Sequence, residues 1–300
     1  MTKPAPFDDR DGYIWMDGKM LAWRDAKLHV LSHGLHYGGS VFEGERVYGG
    51  NIFKLREHSD RLRKSAEMLD FSVPFTVEEI ENASKEVCEA NDIVDGYVRP
   101  LAWRGTEQIA VSAQNCVTHV AIACWAWPKY FFPKGGDDGG IALKTSKWRR
   151  PDPTTAPVQS KAAGNYAIGT MAKHEAESAG YDDALMLDFR GRVAESSGSN
   201  LFIVKDGKMK TPIPECFLNG LTRQTVMKLA SEMGYEMEEG IIMPEDLQHV
   251  DEIFVTGTAA ELSAVSKIDD MEFKVGPVTK KFQETYADLV RSKAKTTAAA

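Results

Sequence analysis

One stretch constrains the architecture more than any other. Between Trp127 and Ile141 the chain carries Pro128, Pro133 and the run Gly135-Gly136-Asp137-Asp138-Gly139-Gly140. Proline lacks a backbone donor and glycine gains no side-chain packing, so such a run sustains neither a helix nor a central strand. A domain boundary belongs there. The expected organisation is a smaller N-terminal domain over 1–132, an interdomain loop over 133–140 and a larger C-terminal domain over 141–300.

Both halves mix hairpins with helices. Tyr13 to Leu21 reads as a hairpin around Asp17-Gly18, and Asp206-Gly207 marks a second one. Arg56 to Leu69 places Leu62, Ala66 and Leu69 on one helical face. Thr76-Val77-Glu78-Glu79 is a capping box opening a helix to about Asn91. Tyr97 to Trp103 and Thr118 to Trp127 read as strands. Beyond the boundary, a strand is expected near Ile141 to Thr145 and a helix from about Asn165 to Ala179, stopped by Gly180. Strands follow at Asp183 to Asp188, Asn200 to Lys205 and Glu252 to Thr256. Helices are expected over Leu221 to Met233 and Val278 to Ser292, with a frayed tail over Lys293 to Ala300. The fold class is therefore α/β, with α+β-like mixed sheets in two domains.

Charge and cysteine usage exclude several roles. A net charge of -8 argues against a nucleic-acid backbone as partner, which needs a basic surface. The apolar run Val120 to Trp127 is too short to span a bilayer, and Met1 to Arg10 has no apolar signal core. Cys88, Cys116, Cys124 and Cys216 form no CxxC pair, as expected of reduced thiols in a cytoplasmic protein.

Chemistry concentrates at a few positions. Lys161 stands among small residues in Ser160-Lys161-Ala162-Ala163-Gly164-Asn165-Tyr166, with room for a large planar group to approach its amine. By itself, a lone lysine is a solvated surface group. Glu195 sits at a strand end before Ser196-Ser197-Gly198-Ser199, where a carboxylate can face a pocket and pair with a protonated ring nitrogen. Asn219-Gly220-Leu221-Thr222-Arg223 opens a helix and offers amides and a hydroxyl to a phosphate, or is a plain N-cap. Gly257-Thr258-Ala259-Ala260 could bind an anion or be a tight turn. His29, His33 and His36 have the spacing of a helical metal site, but Gly34, Gly38 and Gly39 speak against a regular helix and no carboxylate completes a ligand set; no metal is expected.

Taken together, His36-Tyr37-Gly38, Val41-Phe42-Glu43-Gly44, His58-Ser59-Asp60-Arg61-Leu62, the Lys161 stretch, Glu195 to Phe202, Gly220 to Arg223 and Gly257 to Glu261 resemble the class IV aminotransferases. Within them the sequence is most similar to the branched-chain amino acid aminotransferases. The resemblance runs over nearly the whole chain and implies a fold-type IV enzyme with pyridoxal 5′-phosphate between two domains. It implies that Lys161 carries the cofactor and moves the proton, that Glu195 pairs with the ring nitrogen, and that Tyr166 bonds the ring hydroxyl. Arg61, Leu221, Thr222 and Thr258 would cradle the phosphate, and Leu218 would pack on the ring. Tyr97 with the Thr258 and Ala259 amides would take the substrate carboxylate, while Tyr37, Phe42, Tyr130 and tryptophans near Trp127 would wall an apolar pocket. Arg99, on the strand face of Tyr97, would receive a second carboxylate. The implied partners are small amino and 2-oxo acids and a second copy of the chain, as a homodimer or higher homo-oligomer.

Three features depart from the family's pattern: Glu45 replaces an aliphatic residue, Ser196-Ser197 a Gly-Ala type pair, and Asn219 is shared with the D-amino acid branch. The alternatives are a D-amino acid or R-selective amine transaminase, an aminodeoxychorismate-type lyase, a metal-dependent hydrolase on the three histidines, and a non-catalytic cofactor-binding protein.

Overall fold

A computed structural model describes residues 6–127 and 139–297, the side chains from 293 onward excepted. The expected linker and Tyr130 thus fall mostly or wholly outside the described residues. The chain divides into two compact units. One takes the residues before that segment together with Ser160–Gly164 and the last residues from Ala294; the other takes the later residues up to Gln159 and Asn165–Lys293.

The first unit opens on β1 (Tyr13–Met16) and β2 (Lys19–Ala22). Their turn residues Asp17 and Gly18 take φ of 48° and 87°, the I′ geometry whose twist matches paired strands. A short helix α1 (His33–Tyr37) follows and stops at Gly38 in the left-handed region. Of the glycines that spoke against helix there, Gly34 lies inside it and Gly38 acts as its terminator. Next come β3 (Ser40–Phe42), β4 (Glu45–Tyr48), β5 (Asn51–Ile52), α2 (Leu55–Glu67), α3 (Val77–Ala90), β6 (Gly96–Arg104) and β7 (Thr118–Trp125). The Thr76 capping box forms as expected: Glu79 N donates to Thr76 Oγ1 at 3.2 Å and Thr76 N to Glu79 Oε2 at 2.7 Å. The strands form one sheet in the order β2-β1-β7-β6-β4-β5, with β3 beside β6. Every pairing in it is antiparallel. Leu62 and Ala66 of α2 and Ile80, Ala83 and Val87 of α3 bury against Val47, Val98, Val120 and Ile122 of the sheet. These are the apolar positions of two amphipathic helices covering one sheet face.

The second unit contains β8 (Ile141–Arg150), α4 (Tyr166–Ser178), β9 (Asp183–Asp188), β10 (Val193–Ser196), β11 (Asn200–Lys205), β12 (Lys208–Pro212), α5 (Leu221–Glu232), β13 (Met237–Gly240), β14 (Glu252–Gly257), β15 (Glu261–Ile268), β16 (Met271–Glu272) and α6 (Pro277–Thr297). Its sheet is mixed, in the order β10-β9-β8-β15-β14-β11-β12-β13. Strand β8 lies parallel to both β9 and β15. Strand β10 also pairs with β11, so six strands close on themselves, and the register pair that closes them is Glu195 opposite Asn200. Side chains alternate along β11. Leu201 and Ile203 join a core with Ile141, Leu185, Val255 and Val265. Phe202 faces the other way and stacks on Phe254 at 5.1 Å, which meets Phe282 of α6.

Two elements run several residues past their expected ends. Strand β8 continues past Thr145 to Arg150, and α6 runs past Ser292 to Thr297.

Candidate active site

The lysine stretch is stitched to the first unit by backbone bonds on both sides. Ala162 bridges Val41, Lys161 O accepts from Phe42 N at 3.2 Å, and Lys161 N donates to Ser65 Oγ at 3.0 Å. Ser160 Oγ donates to Ser65 O at 2.8 Å. These bonds are why the residues around Lys161 belong with the first unit, although they follow the expected boundary in sequence. The Lys161 Nζ lies 5.0 Å from the Phe42 ring centroid. The Arg99 guanidinium lies 4.7 Å from the same centroid and 5.2 Å from that of Tyr97. Arg99 Nη2 also donates to Tyr97 Oη at 3.2 Å. Tyr97 packs edge-on to Trp127 at 4.5 Å and beside Trp125 at 5.3 Å. An amine and a guanidinium therefore share one aromatic wall.

Beneath that wall is a buried acid centre. Glu43 is fully buried and takes Arg61 Nε and Nη2 at 2.7 and 2.8 Å and His58 Nδ1 at 2.6 Å. Burial works against its charge, but Arg61 and His58 outweigh burial and hold the carboxyl well below the ordinary range. Burial pushes His58 below the ordinary imidazole range, against the pull of the Glu43 charge beside it. The Arg61 fork is thereby fixed by Glu43, a partner that its place on the helix did not reveal.

Glu45, also fully buried, has neither carboxylate oxygen hydrogen-bonded within the described residues. Burial first, then the Glu43 charge, pushes its carboxyl far above the ordinary range.

The second unit builds its own acid centre. Glu195 lies on β10, 7% exposed, with Oε1 2.9 Å from Arg150 Nε and Oε2 accepting from Asn200 Nδ2 at 3.0 Å. Leu218 and Gly220 join it through Asn200. Helix α5 starts at Leu221 with Thr222 buried, and its N-cap Gly220 makes no side-chain cap. Its first amides thus meet no capping side chain, and the dipole end suits an anion. Thr258 and Ala259 follow β14, half-buried, beside a Thr256 hydroxyl that is buried with no hydrogen-bond partner in the described residues. Tyr166 begins α4.

Tyr37 is half exposed and stacks on His33 at 4.8 Å. Tyr130 lies outside the described residues. The three histidines meet the backbone: His33 Nε2 meets Ala110 O, His36 Nε2 meets Val30 O, and His29 Nδ1 accepts from Leu31 N. Among the described residues no group of three or more His, Cys, Asp or Glu could hold a metal ion. Sequence reasoning assigned no role to Glu43, Arg150 or Asn200. The signal for Glu43 was faint, a carboxylate beside a glycine 18 positions before Arg61, and for Arg150 there was none.

The chain belongs to the class IV aminotransferases: residues 40–268 match the amino-transferase class IV family model. As a member it is a pyridoxal-phosphate-dependent transaminase. It is similar to the branched-chain-amino-acid aminotransferase of Pseudomonas aeruginosa, 41% identical over 292 residues covering 95% of each chain. The T.th. branched-chain amino acid aminotransferase complexed with N-(5′-phosphopyridoxyl)-L-glutamate is 40% identical, with a TM-score of 0.89 over 94% of this chain and 95% of that one. The same enzyme with 4-methylvaleric acid gives a TM-score of 0.87 at 40% identity over 94% of each chain.

The residues present fit that cofactor. The first unit supplies an amine on a fixed backbone, and the second a buried, ion-paired carboxylate and a helix start without a side-chain cap. No described helix is long and apolar enough to cross a membrane.

Proposed function

We propose that this transaminase exchanges the amino group between branched-chain L-amino acids and 2-oxoglutarate, in alternating half-reactions. The observation that carries this reading is the ring of Phe42, which has Lys161 Nζ on it at 5.0 Å and Arg99 at 4.7 Å. A pocket that accepts leucine and glutamate in turn needs an apolar wall and a fixed cation within reach of one amine. The solved relative is found with a glutamate adduct and with a branched aliphatic acid, which accords with both surfaces.

The bound cofactor supplies an electron sink for the charge left at the substrate Cα. In this reading Lys161 Nζ would hold the cofactor and, as base and acid, would carry the proton between the substrate Cα and the cofactor C4′. Glu195 keeps the ring nitrogen protonated, and Tyr166 bonds the ring hydroxyl. Arg61, the amides and hydroxyl at Leu221-Thr222 and the Thr258 hydroxyl take the phosphate, with Leu218 against the ring. Tyr97 and the Thr258-Ala259 amides orient the substrate carboxylate. Phe42, Tyr37 and Tyr130 border the side-chain pocket, and Arg99 pairs with the second carboxylate of glutamate.

A homodimer or higher assembly accords with the exposed apolar group Leu28, Val30, Leu31, Leu35, Ile109 and Val111. The His33–Ala110 contact links the two loops that carry it. Four free cysteines accord with a reducing cytoplasm.

The test is a donor panel of L-leucine, D-alanine and an R-arylamine, read by conversion of the cofactor to its aminated form. Conversion with L-leucine alone is expected; conversion only with D-alanine or the arylamine would reject the reading. Arg99→Ala should raise the KM for glutamate and 2-oxoglutarate about 10- to 100-fold and leave leucine within about twofold, the scale of one charge-assisted hydrogen-bond pair.

A further inference from the structure

Glu195 and Asn200 face each other across the pair that closes the six-stranded ring. Directly opposed residues project to the same side of a sheet, and here the two side chains bond at 3.0 Å. Asn200 does more than this. Its Nδ2 also donates to Leu218 O at 3.1 Å, and its Oδ1 accepts from Gly220 N at 3.2 Å. A Cβ on Gly220 would overlap the Asn200 amide oxygen, so the turn has no room for a larger residue. One buried amide thus ties an acid on β10 to the turn that opens α5.

Arg150 holds the other carboxylate oxygen. Its Nε lies 2.9 Å from Glu195 Oε1, and its Nη2 donates to Ser197 O at 2.8 Å and Ser196 O at 3.3 Å. It is 7% exposed, so the pair is poorly screened. Around Glu195, β8 contributes Arg150 and β11 the uncharged Asn200. Strand β9 contributes Asp183, which accepts from Ser197 Oγ at 2.5 Å and lies 3.9 Å from Lys173 Nζ of α4.

We propose that Arg150 and Asn200 are the positioning residues of Glu195: Arg150 keeps its carboxylate ionised, and Asn200 fixes its aim and locks it to the Leu218–Gly220 turn. This rests on the reading of Glu195 as the partner of the ring nitrogen. The division of labour follows from chemistry. A guanidinium beside a buried carboxylate lowers its pKa by about 1–3 units. A neutral amide with two donors and one acceptor changes charge little but fixes direction.

The experiment uses the holoenzyme and three readouts: the pH profile of kcat/KM, the absorption spectrum of the bound cofactor against pH, and the cofactor Kd from titration of the apo form. Arg150→Met should move the acid limb of the profile and the spectral transition up by about 1–3 pH units, and Arg150→Lys should restore both to within about half a unit. Asn200→Ala should leave the acid limb in place, lower kcat about tenfold with the donor KM within about twofold, and raise the cofactor Kd about tenfold. If Arg150→Met folds poorly, Arg150→Gln carries the same expectation, and an unmoved acid limb in it overturns the proposal. Glu195→Gln separates the two levels. If it leaves rate and spectrum unchanged, the underlying reading of Glu195 fails. If it is crippling while the Arg150 and Asn200 variants keep wild-type profiles and Kd, the reading stands and this inference is overturned.

Discussion

Each unit buries a carboxylate, and the two are satisfied differently. In the first unit Glu43 is enclosed by a bidentate arginine and a histidine. In the second, Glu195 pairs with Arg150 and with the amide of Asn200. Glu43 is sealed at 0% exposure, whereas Glu195 keeps 7% of its surface open. In the proposed reading Glu195, the acid with the small opening, is the one that meets the cofactor, and Glu43 serves Arg61.

The largest expected effect comes from breaking the open centre. Glu195→Gln should cut kcat/KM by about 10³-fold or more, because a neutral ring nitrogen is a weak electron sink. Steady-state kinetics check this. Glu43→Gln should act on stability. It leaves Arg61 inside without its counter-charge and should cost about 3–5 kcal/mol of stability, read from denaturant unfolding.

The smallest effect sharpens the contrast at Glu45, two residues from Glu43. Its folded pKa is raised, so the proton is bound more tightly in the folded state than in the unfolded one. Stability should then fall as pH rises from the unfolded carboxyl value near 4.5 towards the folded one. Glu45→Met should remove that slope and stabilise the protein by about 1–3 kcal/mol at neutral pH. Unfolding midpoints at about pH 5 and pH 8 test both statements; a midpoint in the variant no higher than wild type at the upper pH would count against a raised folded pKa.

Much of this was legible along the chain. Asp17-Gly18, Asp206-Gly207 and Thr76 with Glu79 carry local chemistry that decides a turn or a helix end within a few residues. The bounds of β9 and β11 follow from uninterrupted apolar runs. Strand β8 was underread because Ser146 to Arg150 is polar and its pairing with β9 shifts register between Thr145 and Arg149. That cost the identification of Arg150. The Glu43 centre was hidden for a different reason: its members are brought together by α2 packing on the sheet, and no spacing announces it. Helix α1 was missed because glycine weakens helices on average, whereas Gly38 here only ends one.

The single facing pair between β10 and β11 has a consequence for how this scaffold can change over time. The rung that fastens the ring of strands is also the rung that presents the acid. Lengthening or shortening the Ser197-Gly198-Ser199 connection would unfasten the architecture and disarm the chemistry in one event. In the proposed reading, variation in substrate preference is then free to accumulate in the other unit, around Phe42 and Arg99, while this seam stays as it is.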